Sequence, residues 1–481
     1  MAVSNQVKQQ HLLWRAGFGP GPADYPQLTG SSPKALLTAL FKASEKTPAY
    51  IDVADSTVKE LSRQADIRNS QRSPLTEEER KLLRERSREG LKSINLVWLG
   101  QMATSGQQLR EKMALFWHGH FATRTVNVLY QQQLLDLIRR HALGNFTELL
   151  RSVSKSAAML NFLNNNQNRK GRPNENFARE VMELFTMGRG HYTENDVKEA
   201  ARAFTGWGAT TSGDFLFRKN QHDEGSKTVL GKTGNFNGDD VLDILTGRRE
   251  TASFITRKIY RYFVNESVDE NNIQWLADRF YQSQYDISAL LQDIFSSSWF
   301  YDPKNIGCRI KSPVELIVGI RRALPMRIAN EDIQINLQKL LGQQLFYPPN
   351  VAGWPGGTNW IDSSSLMLRL RIPQMIYAED ELNLKPKDDD DLMMGMKDKP
   401  RPAGNKGGQV ITASIDWKSY EQFFTSVPRE KLVSSLARLL LQAPNSVAEN
   451  VLDQYVDASS RETFIRTATI QLMSTPEYQL C

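Results

Sequence analysis

The chain has 481 residues, 40% of them hydrophobic, with nine Trp and 21 Phe, ample material for a large core, which excludes global disorder. Sixty Lys and Arg against 54 Asp and Glu leave a net charge of +6, a mild and scattered excess that does not point to nucleic acid as a partner. Two cysteines, Cys308 and Cys481, exclude a disulfide framework and a cysteine-rich zinc site.

Read from its first residue, Met1 to Gln10 is polar and lacks the features of an export signal, and no apolar run of about 18 residues follows. The expectation is a soluble, cytoplasmic chain without a membrane span, or a periplasmic or exported one if the sequence is a trimmed piece. No long linker interrupts the first 380 residues, so 1–383 reads as one main helical domain.

Taken in chain order, 68–92 is dense in both charge signs at helical spacing and reads as a solvated helix face. Leu109, Met113 and Phe116 mark an apolar helix that runs into Phe116-Trp117-His118-Gly119-His120-Phe121, and Leu134, Leu135, Leu137 and Ile138 mark another. Pro173 and Gly188 bracket a strongly helical stretch from Asn174 to Phe185, and Thr193 with Asp196 opens a further helix through Val197, Ala200, Ala201 and Phe204. Strand-like alternation is confined to Asp214–Arg218 and the residues around Val229, which predict a small β-hairpin excursion near 214–232. Ile287, Leu290, Leu291, Ile294 and Phe295 restore helical periodicity.

Phe346 to Trp360 is rich in Pro, Gly and aromatic residues, and reads equally as a pocket wall or as a loop capping the core. Segment 384–410, with four consecutive aspartates, three methionines and a Lys/Pro/Gly-rich end, reads as a disordered loop. Residues 411–481 return to helical spacing at Leu432, Leu436, Leu439 and Leu440 and predict a C-terminal helical segment packed on the main domain. The fold class is therefore mainly α, a multi-helix globular bundle.

Four stretches carry candidate chemistry. His118 and His120 are two residues apart, so their rings oppose each other on a continuous helix and can face one centre only if the helix ends at Gly119. The bland alternative is that both rings bond backbone carbonyls while Trp117 and Phe121 pack. At 100° per residue Asn176, Glu180 and Glu183 share a narrow arc beside the apolar stripe, so the two carboxylates serve either as inward ligands and acid/base groups or as a surface pair, Glu183 bridged to Arg179. His191 reads as an exposed turn residue. His222-Asp223 lies in a Gly-containing loop from which either side chain can ligate or titrate if the loop folds over the helices.

These segments resemble the bacterial domain of unknown function 1800 family. The likeness rests on His11 to Gly19, Phe116 to Phe121, Asn174 to Phe185 with Gly188, Tyr192-Thr193-Glu194 with Ala200 to Trp207, the His222-Asp223 loop through Leu230-Gly231, and Pro348 to Trp354. The resemblance implies membership over about residues 8–380, but no activity. It implies a sulfatase-like protein as a partner, since family genes often neighbour one. It also marks two departures: many relatives begin with an export signal, and Gly247-Arg248-Arg249-Glu250 stands where relatives carry a His-Pro pair.

Several polar groups recurring in family motifs favour a shared centre. The expectation is an acid/base or metal-dependent, hydrolase-like enzyme. His118, His120, Glu180 and Glu183 would hold a divalent Zn, Mn or Fe; Glu180, Glu183, Arg179, His222 and Asp223 would act on substrate. The alternative is a non-catalytic partner or scaffold protein that uses the 346–360 loop as contact surface.

Overall fold

A computed structural model describes residues 3–71, 73–378, 381–382, 409–442 and 453–481. Helices dominate it, with four two-stranded antiparallel sheets among the described residues. The chain is mainly α. No helix among the described residues is long and apolar enough to cross a membrane.

The helices begin where the sequence supplies caps. Thr76 and Glu79 form a reciprocal capping box that opens the Glu77–Thr104 helix, and Thr193 with Asp196 does the same for Glu194–Ala203. Each box satisfies two backbone N–H groups that a helix start leaves without partners. The charge-dense 68–92 stretch spans two helices, Ser56–Ser70 and Glu77–Thr104, joined across their turn by the Arg68–Glu79 ion pair at 2.8 Å. The inner half of the second helix buries Leu91, Ile94, Trp98, Leu99 and Met102.

One buried hydrophobic cluster collects side chains from Leu12 to Cys481, so both ends of the described chain pack into the same core. The C-terminal part is tied in by backbone as well: Met326–Ile328 pairs antiparallel with Ala413–Ile415, and Ile310 bridges to Leu480. Of segment 384–410 only Gln409 and Val410 are described, as a strand paired with Glu381–Leu382; the acidic and Met-rich residues lie outside the described residues.

The β excursion is two hairpins instead of one. Trp207–Ala209 pairs with Phe215–Phe217, and Lys227–Val229 pairs with Lys232–Gly234. The second turns through Leu230 and Gly231, both at positive φ (49° and 79°), the two-residue geometry that matches the twist of paired strands. Between the hairpins, the His222-Asp223 loop folds back on the Glu194–Ala203 helix, to which Arg202 ties it at 2.8 Å.

The Asn174 to Phe185 stretch departs furthest from ideal geometry. The α-helix Asn176–Glu180 continues as a π-helix over Val181–Thr186, in which the Met187 N–H reaches back five residues to the Met182 carbonyl at 3.0 Å. A π-turn holds one residue more than an α-turn, so an arc of 100° per residue does not apply beyond Glu180.

Candidate functional site

His118 and His120 lie in the last turn of the Gln108–His120 helix, which runs unbroken through Gly119. The two rings therefore diverge, and the expected convergence on one centre is not met. The glycine that the geometry requires is Gly353: a Cβ there would stand 2.3 Å from the Gly119 carbonyl oxygen, and its φ is +85°. That close approach lays the Phe346 to Trp354 loop on the end of the helix.

His118 sits among Trp98, Phe346 and Trp354, with ring centroids 5.1, 5.0 and 5.5 Å away. Trp98 is itself fixed by its indole N–H, which donates to Glu111 at 2.9 Å, and Glu111 is gripped by the Arg139 guanidinium at 2.6 Å. The backbone N–H of Phe346 donates to His118 Nε2 at 3.2 Å, so that nitrogen carries no proton. Burial alone pushes the His118 pKa down to about 3. Trp354 turns inward on His118 and Trp360 is buried, so this aromatic loop caps the core.

His120 points the other way. Its Nε2 lies 3.2 Å from the Phe185 carbonyl, which can only accept, so Nε2 bears the proton; Nδ1 then accepts from Lys258 Nζ at 3.2 Å. Lys258 also donates to the Leu184 carbonyl at 3.1 Å. Two carbonyls of the π-helix are thus bonded by His120 and Lys258. Burial holds the His120 pKa well below its usual value, helped by the Lys258 charge, and burial lowers Lys258 to about 8.

Glu180 and Glu183 share the helical stretch but not a partner. Glu183 accepts from Tyr192 Oη and Arg189 Nε, both at 2.5 Å, and these bonds keep its pKa low. Glu180 is half-buried, and burial, with the neighbouring Glu183 charge, raises its pKa. Arg179 does not bridge to Glu183; it clamps Glu194 at 2.7 Å and touches Glu175 at 3.3 Å. The π-turn explains the exchange, because it removes Glu183 from the i+4 position that an α-helix would give it.

A divalent ion does not fit the His118, His120, Glu180 and Glu183 set. The His118 Nε2 lone pair is taken by the Phe346 N–H, both nitrogens of His120 are engaged, and Glu183 is held by Tyr192 and Arg189. Among the described residues no three His, Cys, Asp or Glu side chains are placed to share a cation.

His222 and Asp223, by contrast, come together on an open cavity of about 700 Å³, with Lys170 and Lys219 on its lining. Thr205 organises the loop. Its hydroxyl donates to the Arg202 carbonyl at 2.6 Å and accepts from the Asp223 N–H at 2.8 Å. Its carbonyl lies 2.9 Å from His222 Nδ1, which must therefore carry the proton, leaving Nε2 bare. Phe217 packs edge-on against the ring. Asp223 accepts from Arg202 Nε at 2.8 Å and Nη2 at 3.2 Å, and chiefly these bonds keep it ionised.

Sequence reasoning missed Lys258, Thr205, Arg202, Lys170 and Lys219. Arg202 and Thr205 were within reach, since both fall inside the Ala200 to Trp207 motif; Lys258 carried no local signal. The Gly247 to Glu250 stretch is a helix junction: Gly247 caps Gly238–Thr246, the Arg249–Phe263 helix comes next, and Arg248 pairs with Glu250 at 3.1 Å. His191 is exposed in its turn.

The fold and these clusters define a mainly helical protein with buried polar groups fixed by backbone bonds and a histidine-bearing cavity open at the surface. The chain belongs to the family described as protein of unknown function DUF1800, whose model matches residues 11–480. No curated protein and no solved structure matches it.

Proposed function

We propose that the protein is an acid/base enzyme of hydrolytic type whose centre is the His222 cavity. The observation that carries this reading is the fixed tautomer of His222: with Nδ1–H held by the Thr205 carbonyl, the bare Nε2 is the nitrogen that can take a proton. In the reaction, Nε2 accepts a proton from water as the water oxygen bonds to the electrophilic atom of the substrate. The bond to the leaving group then breaks, and the imidazolium returns the proton to it. Lys170 and Lys219 supply positive charge for an anionic substrate oxygen. Asp223, tied to Arg202, positions the loop.

The test is turnover of p-nitrophenyl acetate, phosphate and sulfate. One of them is hydrolysed by the native chain, and His222→Gln lowers kcat by about 10²- to 10⁴-fold with KM little changed. Failure of all three substrates, or an unchanged rate in the variant, sinks the reading.

A second reading, a non-catalytic partner of a sulfatase-like protein, draws on the backbone bonds that occupy His118 and His120, the buried polar lattice of a scaffold. A stoichiometric sulfatase-like partner captured equally by the native chain and by His222→Gln, with no turnover by either, favours it.

A further inference from the structure

A second cavity, of about 1210 Å³, lies far from His222 in the chain and between different elements. One face of the Pro33–Glu45 helix forms a wall, with Lys34, Thr38 and Lys42 spaced four apart. Ser288, Gln292 and Phe295 from the Ile287–Ser296 helix form another. Lys8 from the Asn5–Arg15 helix also lines it.

Its charge is one-sided. Lys8, Lys34, Lys42 and Arg110 line the cavity against the single carboxylate Glu45. Arg110 is 7% exposed and gives four N–H bonds to carbonyls, two to Ser44 and one each to Arg139 and Arg140. A guanidinium has five N–H groups, so one on Nη2 remains. The nearest acid in sequence, Glu111, is taken by Arg139. Beside it Ser44 is fully buried, and its hydroxyl has no partner. A buried cation without its own carboxylate, next to an unsatisfied hydroxyl, is a costly arrangement for a fold to keep empty.

We propose that this groove binds an acidic peptide segment, one of whose carboxylates accepts from Arg110 while its apolar side chains rest on Phe41 and Leu143. The volume exceeds the ~300–1,000 Å³ of small-molecule sites. Thr38, Ser288 and Gln292 offer the donors and acceptors that an extended backbone needs. The single buried cation distinguishes it from the exposed cationic track that follows a nucleic-acid backbone.

Fluorescence anisotropy tests this with a fluorescein-labelled peptide alternating Asp with Leu and Phe, its counterpart with Asn for Asp, and an oligothymidylate, each titrated with the full chain. The acidic peptide binds, and added salt weakens it. Lys34→Glu with Lys42→Glu, both exposed positions, weakens it about tenfold or more, a loss of about 1.4 kcal/mol. Absence of binding, equal binding of the Asn peptide, unchanged affinity in the charge-reversed variant, or preference for the oligonucleotide overturns the proposal.

Discussion

The Nζ of Lys258 lies 3.2 Å from Nδ1 of His120, and between them the two side chains bond the carbonyls of Leu184 and Phe185. A helix that switches to the π pattern is thus braced by a lysine from one neighbouring helix and a histidine from another. Replacing Lys258 by Met leaves the Leu184 carbonyl without this donor, and an unsatisfied buried acceptor costs about 1–3 kcal/mol. Urea unfolding should show that loss. The lysine also sets a pH slope. Its folded pKa of about 8 lies below its ordinary 10.5, so between these values the unfolded chain binds more protons and stability rises with pH. Lys258→Met should flatten that rise; an unchanged slope would place the titration elsewhere.

His118 gives the opposite end of the pH range. Its pKa is about 3 in the fold against 6.5 ordinarily, so below pH 6.5 the unfolded state takes up a proton that the folded state refuses. Stability falls as pH drops from 6.5 towards 3. His118→Gln, which keeps an acceptor near the Phe346 N–H, should remove that part of the acid sensitivity. His118→Ala should cost about 1–3 kcal/mol at pH 7, because the Phe346 N–H is left unpaired.

Glu315 and Lys112 form an ion pair with both side chains almost fully buried. Lys112 and Arg309 hold the carboxylate at about pKa 2 against burial, which alone would raise it. Stability from this group is complete above pH 4.5 and disappears as pH falls through about 2. Glu315→Gln strands a buried ammonium and should cost about 3–5 kcal/mol at neutral pH, measured by guanidinium unfolding. A loss below about 1 kcal/mol would mean that solvent reaches the pair.

Gly353→Ala tests the loop that covers His118. The new methyl carbon would stand 2.3 Å from the Gly119 oxygen at a backbone φ of +85°. Positive φ alone costs of order 1–3 kcal/mol for a residue with a Cβ, and the clash adds to it. Trp354 would be displaced from His118, so tryptophan fluorescence should shift to longer wavelength while far-ultraviolet dichroism stays the same. An unshifted emission would show that the loop holds by its other contacts.

Most of the helices were legible because apolar spacing and caps are local: Leu134, Leu135 and Ile138 are buried on one face, and Thr193–Asp196 caps as expected. Strand character around Val229 was legible, but the division of the 214–232 excursion into two hairpins was not, since pairing is settled by partners outside the strand itself. The site was legible only as residue types. His222 and Asp223 do share a cavity, whereas His118 and His120 part because Gly119 does not end the helix. Glu183 trades Arg179 for Arg189 and Tyr192 because nothing in the local pattern announced a π-turn.

The stretch from Val181 to Thr186 holds one amino acid more than an α-helix would need to cover the same turns. Removing a single residue there would restore ordinary winding over the same turns and leave the downstream backbone close to its present place. Leu184 and Phe185 would then offer their oxygens in new directions, away from the amine and imidazole that now meet them. Length, more than side-chain chemistry, is the property that this part of the chain tolerates changing least.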